Sequence, residues 1–316
     1  IKVNVLDSVW LEQSKKDKII KEIILTADFE TAYYTVCKYI TCRSLQPLHA
    51  SIIHNVSDNQ ASMDLAPRGH GKSTIGDVDF CITKVLRNPD IRIMIGSKTQ
   101  TQASAFLKEI RTHFEQNVNL IRIFGDWKKS RDNVWNDKEF TVNRRTVIKK
   151  EATVSALGAS GAVVSKHFDI IIGDDLVGFE NARTEAQRKV LKEWFYSSLY
   201  PTLEPDGEIH ILGTRYSPMD LYEDLIKSKN YKINVQQAIT VKDGQEYSLW
   251  ESKFSLEKLR SIREEAGLII FNMQYQNNTE LAKGKIFKYK YFKHFEEYEV
   301  DYDLNRVRVK VLDSQG

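Results

Sequence analysis

The sequence predicts an α/β fold in which helices flank a central, mostly parallel β-sheet. Residues 168–173 form an apolar, β-branched run that ends in two acids, which is typical of a strand buried on both faces of a parallel sheet. Residues 91–96 alternate in polarity and predict a second strand, followed by a helix at about 100–114. A glycine-rich loop at 66–74 lies between a short apolar segment and an apolar helical face, so strand, loop and helix follow in order.

The segments before this loop are predicted to be helical. Apolar positions recur at helical spacing in residues 19–24 and 33–40, and Pro47 then interrupts the pattern. Residues 127–154 are polar and aromatic, and their hydrophobic pattern repeats over a short period. This predicts a β-hairpin excursion outside the core.

Clear boundary signals follow the paired acids. Thr184 and Gln187 form a capping box that predicts the start of a helix. Residues 208–212 predict a further strand. Ser255 is expected to cap another helix, which Gly267 ends.

The composition is that of an ordinary globular protein. The chain has 316 residues, of which 41% are hydrophobic and 28% charged, enough for one large domain and a smaller piece. No apolar run approaches the roughly 18 residues that span a bilayer, and the first residues are not a secretory signal, so no membrane partner is expected. Three cysteines without a CxxC pair predict a reducing compartment and no zinc site. A net charge of +3 is too small to indicate nucleic-acid binding unless the basic surface is local.

The loop at 66–74 matches the phosphate-binding pattern G-x-x-x-x-G-K-[ST], except that Ala66 replaces the first glycine. Gly69 and Gly71 carry no Cβ, so backbone N–H groups can turn inward around a phosphate. Lys72 offers a charge to the outer phosphates, and the Ser73 hydroxyl is a Mg²⁺ ligand in this pattern. The residues expected to contact the nucleotide are Pro67, Arg68, Gly69, His70, Gly71, Lys72, Ser73 and Thr74. The alternative is a glycine turn before a helix with an exposed lysine.

Asp174 and Asp175 end the predicted strand at 168–173, at the edge where open α/β sheets bind ligands. We assign Asp174 to Mg²⁺ and Asp175 to the water that attacks the phosphate. Enzymes of this kind more often carry glutamate second, which is one methylene longer. The alternative for the pair is a surface turn after a buried strand. Together with the loop, the acids predict ATP as substrate and Mg²⁺ as cofactor.

At least one strand–helix unit separates the phosphate loop from the paired acids. This insertion marks the additional-strand branch of the P-loop NTPases, to which helicases and motors belong. The fold expected is therefore a P-loop NTPase of that branch.

Taken in order, several segments resemble the ATPase half of the terminase large subunit of tailed phages. They are the Ala66–Thr74 loop with its internal arginine, residues 157–161, the strand with its paired acids, Gly213-Thr214-Arg215, and residues 250–277. The resemblance covers roughly residues 47–316. In that family the third motif couples hydrolysis to movement, and the last segment is a linker region.

The resemblance implies ATP hydrolysis that drives double-stranded viral DNA into a procapsid. Asp175, Arg68 and Lys72 are the catalytic residues that it implies, with Arg68 contacting the γ-phosphate or switching between nucleotide states. A solvent-exposed loop arginine is the alternative for Arg68. Implied partners are double-stranded DNA, a portal protein and a small terminase subunit, and the implied setting is the host cytoplasm. We expect a homo-oligomeric ring on assembly and a monomer alone.

Ring motors of this family also use an arginine that acts on the neighbouring subunit's nucleotide. It commonly lies just upstream of the acidic strand, where this chain has Lys166 and no arginine. The resemblance therefore leaves three candidates for this role: Lys166, Arg183 and Arg145.

The family implies four parts in this chain. These are an N-terminal helical segment at 1–49, the ATPase core at 50–250, a linker subdomain at 251–300, and the first strand of a ribonuclease H-like nuclease domain at 301–316. Asp313 matches the first metal-binding acid of that nuclease. Because such a nuclease needs several carboxylates for two metals, we expect this chain to lack nuclease activity.

Two basic and aromatic stretches, at 127–150 and 283–293, are candidate DNA contacts. A solvated charged face explains each equally well, and a hinge is favoured for the second. His49, His54 and His70 lack metal-ligand spacing and are expected in loops or at the surface.

Two other functions remain open at this stage. One is a helicase-type, DNA-dependent ATPase, although no helicase-specific motif is present. The other is a nucleotide-switched adaptor that binds DNA or protein without a motor role.

Overall fold

The computed structural model describes residues 12–128, 133–159, 161, 166–283, 295–301 and 306–311. Within them, one sheet contains seven strands: β1 (Ala61–Leu65), β2 (Ile93–Ser97), β3 (Glu139–Phe140), β4 (Val154–Gly158), β5 (Phe168–Asp174), β6 (Leu203–Gly213) and β7 (Lys232–Val235). The spatial order is β3-β4-β2-β5-β6-β1-β7. All neighbouring strands run parallel except β3 with β4. The predicted parallel sheet is therefore confirmed.

Helices connect and cover these strands. They are α1 (Gln13–Thr26), α2 (Phe29–Thr35), α3 (Pro47–Asp58), α4 (Phe80–Arg87), α5 (Gln100–Gln116), α6 (Val118–Phe124), α7 (Phe179–Ala182), α8 (Glu185–Trp194), α9 (Leu221–Ser228), α10 (Leu256–Ala266) and α11 (Leu268–Gln274). Three π-helical turns, Val36–Ile40, Thr74–Asp79 and Phe195–Leu199, extend or precede α-helices, and short 3₁₀ turns lie at Tyr200–Thr202 and Leu281–Lys283. Two antiparallel hairpins lie outside the central sheet: β8 (Ile239–Lys242) with β9 (Gln245–Ser248), and β10 (Phe295–Asp301) with β11 (Arg306–Val311).

Strand β5 is buried on both faces, as its apolar run predicts. Ile170 and Ile172 belong to the hydrophobic cluster on one side of the sheet. Phe168 and Ile171 belong to the cluster on the other side. Alternate side chains of a strand point to opposite faces, so one run of apolar residues serves both cores.

A third, smaller hydrophobic cluster packs the chain beyond the sheet. Its buried members are Ala238, which precedes β8, and Ile239, Leu259 and Phe271 from β8, α10 and α11. This cluster draws on residues before and after position 251. The predicted domain limits stay predictions.

Several boundaries differ from those expected. Pro47 does not interrupt helical structure but begins α3, where the missing N–H of proline costs nothing. Strand β2 starts at Ile93 rather than 91, and β6 starts at Leu203 rather than 208. In the 127–154 stretch the short β3 pairs with β4, and an isolated antiparallel bridge joins Trp135 to Phe140. The expectation that this stretch lies outside the core was wrong, because Trp127, Phe140 and Val142 are buried in the hydrophobic cluster on one side of the sheet.

The predicted helix caps are confirmed. The Thr184 hydroxyl accepts a hydrogen bond from Gln187 N, and Thr184 N donates to the Gln187 side chain, so the capping box is closed at both ends. Ser255 accepts from Lys258 N at the start of α10, and Gly267 follows its last residue with φ +79°.

The strand order brings the two predicted halves of the site to one edge of the sheet. Strand β6 lies between β1 and β5, as the additional-strand fold requires. Asp64 of β1 and Asp174 of β5 both stand opposite Leu212 of β6. Because neighbouring strands are about 4.8 Å apart, the ends of β1 and β5 are separated by roughly 10 Å. In the part of the chain that the structure describes, no helix is both long and apolar enough to cross a bilayer.

Candidate nucleotide-binding site

The glycine-rich loop begins where β1 ends and curls back beneath the linker segment. Gly69 and Gly71 have φ of +76° and +78°, a region that only glycine enters freely. A Cβ on Gly69 would lie 2.9 Å from Phe254 Cζ, and one on Gly71 would lie 3.0 Å from His49 Nε2. Both glycines are thus required by backbone conformation and by close packing.

Lys72 and Asp175 form an ion pair although 103 positions separate them in the chain. Lys72 Nζ lies 3.1 Å from Asp175 Oδ1 and donates to Oδ2 at 3.2 Å. Burial lowers the pKa of Lys72, but the carboxylates of Asp175 and Asp174 outweigh it, so the pKa is raised and the side chain stays charged. The loop and the paired acids therefore share one site.

Asp175 also has unusual backbone geometry. Its φ is +44°, in the left-handed region that aspartate tolerates better than most residues. Asp175 N donates to Leu212 O at 3.0 Å, which ties the turn to β6. Strained backbone of this kind is concentrated at functional sites.

Asp174 is fully buried at the end of β5. Burial, reinforced by the charge of Asp175, raises the pKa of Asp174 to about 7, against the opposing effects of Lys72 and the Ser73 hydroxyl. Ser73 lies close to Asp174, yet neither carboxylate oxygen has a hydrogen bond of normal geometry. Buried polar atoms without partners are rare, and oxygen ligands are what Mg²⁺ prefers. Ser73 and Asp174 therefore fit a magnesium ion.

Asp77 is a functional candidate that the sequence analysis did not identify. It lies four residues after Ser73, in the π-helical turn Thr74–Asp79, and is fully buried. It approaches Asp174, and burial together with the Asp174 charge raises the pKa of Asp77 well above its usual range. The available signal was an acid within the otherwise apolar face of this helix.

Arg68 points toward the linker in this conformation. Its backbone N–H donates to Gln274 O, and Nη1 donates to Gln274 Oε1, both at 3.0 Å. The side chain is exposed. The predicted contact of Arg68 with a γ-phosphate stays a prediction.

Aromatic side chains from the linker cover the outer face of the loop. The ring of Phe254 stacks on His70, with centroids 4.5 Å apart and an interplanar angle of 8°. Trp250 meets His49 edge-on at 5.1 Å, and Lys253 Nζ donates to Gly69 O at 2.7 Å. The linker thereby fixes the loop from outside.

The expectation was wrong for His49, which is buried within α3. His70 lies in the loop, as expected, but is buried there, and its carbonyl oxygen lies 3.0 Å from His49 Nε2 in a hydrogen bond. They are enclosed because the linker folds back over the loop, which no local pattern indicates. His54 is exposed, as expected.

The predicted coupling motif touches both the loop and the linker. Gly213 O accepts from Ala66 N at 3.2 Å, and Thr214 Oγ1 donates to Ala66 O at 3.3 Å. Arg215 is buried; its backbone N–H donates to Asn277 Oδ1 at 3.3 Å, and Nη2 donates to Glu223 Oε2 at 2.7 Å. The motif therefore contacts both Ala66 of the loop and Asn277, and its coupling role stays a prediction.

The three candidates for an arginine acting on a neighbouring subunit differ in their surroundings. Lys166 Nζ lies 3.2 Å from Glu139 Oε2, and half-buried Arg145 donates to Glu151 O. Arg183 is exposed and lies over the Phe179 ring at 5.7 Å. Exposure favours Arg183, and the role stays a prediction for all three.

Some predicted residues lie outside the described ones. Asp313 is among them, as are residues 129–132 of the first basic stretch and 284–293 of the second.

Known proteins resemble this chain in sequence and in fold. No protein-family model matches the chain. Over 270 residues the chain is 28% identical to the terminase large subunit of Enterobacteria phage T3. The aligned region covers 75% of this chain and 44% of that protein. The chain thus spans less than half the length of this curated relative.

Solved structures show the same fold at low sequence identity. A mutant of the Thermus phage P74-26 large terminase ATPase domain aligns with a TM-score of 0.53 and 12% identity, over 76% of this chain and 96% of that one. The HK97 bacteriophage large terminase aligns with a TM-score of 0.50 and 15% identity, over 82% of this chain and 55% of that one. The chain therefore resembles a phage terminase large subunit in sequence and the ATPase domain of such a subunit in fold.

Proposed function

We propose that this chain is the ATP-hydrolysing part of a viral DNA-packaging motor. The observation that carries the proposal is the ion pair between Lys72 and Asp175, beside Asp174 and Ser73. It unites a phosphate-binding loop with two carboxylates at the ligand-binding edge of a parallel sheet. The terminase large subunit of phage T3 is the sequence relative that supports packaging as the motor's task.

In the proposed reaction the loop binds the phosphates through inward-facing backbone amides and Lys72. A triphosphate competes with Asp175 for Lys72, which leaves the Asp175 carboxylate free to orient a water molecule and accept its proton. When bound, Mg²⁺ neutralises charge on the phosphate oxygens, and Ser73 and Asp174 are the residues that hold it. The geometry of Asp175 suits this task because its left-handed backbone aims the side chain at the loop.

Partners follow from the same proposal. By resemblance they are double-stranded DNA, a portal protein and a small terminase subunit, with assembly into a homo-oligomeric ring in the host cytoplasm. A helicase-type ATPase and a nucleotide-switched adaptor are the competing functions, and no contact in the described residues favours either.

Paired substitutions test the site. We expect Lys72→Ala to weaken ATP binding at least tenfold, because the phosphates lose their buried cation. Asp175→Asn keeps nucleotide affinity but loses about 10²–10⁴-fold in turnover, the usual contribution of a general base. Calorimetry and a phosphate-release assay measure the two effects. Unchanged binding and turnover in Lys72→Ala would remove the whole assignment, whereas full turnover in Asp175→Asn would show that Asp175 is not the general base.

A further inference from the structure

Asp77 is a buried carboxylate with no hydrogen-bonding partner of normal geometry. Both of its oxygens are fully shielded from solvent and lack such a partner. Asp174, which it approaches, is in the same condition. A charged carboxylate that is buried without a partner is strongly disfavoured, so the charged form of Asp77 needs a compensating interaction.

Local geometry directs Asp77 to the site. It follows Ser73 by four residues, about one helical turn, and helical side chains lean toward the preceding turn. The side chain therefore lies over the same face as Ser73. Three carboxylates, Asp77, Asp174 and Asp175, surround a single lysine, Lys72, which already pairs with Asp175.

Asp79 shows what a purely structural acid looks like on the same helical turn. It is also buried, but Arg43 Nε lies 3.2 Å from its Oδ2, and Thr83 Oγ1 donates to its backbone oxygen. Asp79 thus has its compensating cation within the chain. Among the described residues, Asp77 makes no comparable ion pair; the group that it approaches is Asp174, another acid, and a bound cation would compensate both.

We propose that Asp77 is a second carboxylate of the divalent-cation site, behind Asp174 and Ser73, where it accepts hydrogen bonds from metal-bound water. Mg²⁺ retains several waters in protein sites, and acids that hold them orient the direct ligands. The proposal rests on the proposed nucleotide site. Its consequence is tighter binding of the cation, separable from binding of the nucleotide.

Titration with Mn²⁺ in the presence of a non-hydrolysable ATP analogue tests this directly, with free Mn²⁺ followed by electron paramagnetic resonance. We expect Asp77→Asn to bind Mn²⁺ about 10–100-fold more weakly, the usual effect of losing a supporting group. Its affinity for the analogue in EDTA is expected to match the wild type. Asp79→Asn, the same change two residues away, is the matched control and is expected to keep wild-type Mn²⁺ affinity.

Each other outcome overturns the proposal. Asp77→Asn with wild-type Mn²⁺ affinity shows that the carboxylate does not serve the cation. Equal losses in Asp77→Asn and Asp79→Asn indicate general loosening of the helix. Failure of the near-isosteric Asp77→Asn to fold assigns the acid to folding instead. If the wild type itself binds no Mn²⁺ with the analogue, the proposed function fails as well, which separates the two ideas.

Discussion

At the scale of the residue, the ion pair of Lys72 with Asp175 joins the phosphate loop to the end of β5. Lys72 is only 7% exposed, so water screens its charge little, whereas the Asp175 side chain is partly exposed. Removal of Asp175 leaves Lys72 buried without its ion-pair partner, which costs more than the pair itself contributes. The pair therefore positions the two residues that the proposed reaction separates.

At the same scale, Asp64 makes the free energy of unfolding depend on pH. It is buried in β1 and accepts hydrogen bonds from Asn234 Nδ2 at 2.7 Å and Asn55 Nδ2 at 3.1 Å. Burial raises the pKa of Asp64 to about 7, since two neutral amides offset only part of the desolvation. The folded pKa exceeds the unfolded one, so the fold favours the protonated acid. That stabilisation is complete below about pH 4 and is lost as pH rises through 7.

We expect the free energy of unfolding to fall between pH 4 and 7 by up to roughly 4 kcal/mol through Asp64, at 1.36 kcal/mol for each pKa unit. Asp64→Asn removes this component, so its stability falls less steeply over the same range. Urea unfolding at several pH values measures both slopes. Asp206→Asn, an exposed acid of β6, is the control. Parallel curves for wild type and Asp64→Asn would contradict the assignment.

At the scale of the element, the turn between β9 and α10 acts as the outer wall of the phosphate loop. Phe254 stacks on His70, while Lys253 donates to Gly69 O. The glycines give the loop no side chains to pack on this side, so its cover comes from these residues and from Gln274 O, which accepts from Arg68 N. Its conformation therefore depends on the linker as well as on β1.

We expect Phe254→Ala to raise the KM for ATP about three- to tenfold with a smaller effect on kcat. Loss of one aromatic stack costs about 0.5–1.5 kcal/mol and lets Gly69 sample other conformations. Steady-state kinetics measure the change. Tyr247→Ala removes an exposed aromatic from β9 in the same subdomain and is expected to leave KM unchanged. An equal increase in both variants would show that the subdomain, and not the stack, sets the affinity.

At the scale of the whole molecule, the charge distribution limits how DNA can be bound. The net charge is only +3, so attraction to a duplex has to come from a local surface. A packaging motor needs sequence-independent contacts, and these are made to phosphates.

We expect duplex DNA to stimulate ATP turnover and its affinity to fall steeply with salt. Each phosphate contact contributes about 0.9 to the slope of log affinity against log salt concentration. Fluorescence anisotropy with a labelled duplex at several salt concentrations gives the slope. Single-stranded DNA of equal length is the control, because a helicase would prefer it. A flat salt dependence would exclude phosphate tracking.

Local sequence patterns predict much of the fold. The apolar run of β5 and the Thr184 capping box each need only a few neighbouring residues, so their predictions are confirmed. The prediction that Pro47 interrupts helical structure was wrong, because proline breaks the interior of a helix but is favoured in its first turn. Strand limits depend on pairing partners, which lie far away in the chain.

By itself, the sequence determined which residues form the phosphate loop and that Asp174 and Asp175 follow a buried strand. It also determined that the loop and the acids lie at the same edge of the sheet. These follow from short-range conformational preferences and from the rule that parallel strands align their carboxyl ends. Only the tertiary structure decided that Asp77 meets Asp174, that Phe254 covers His70, and that Arg68 turns to Gln274, 206 positions away. Contacts between such distant segments depend on how the elements pack, because side-chain neighbours across a core are set by the whole assembly of helices and strands.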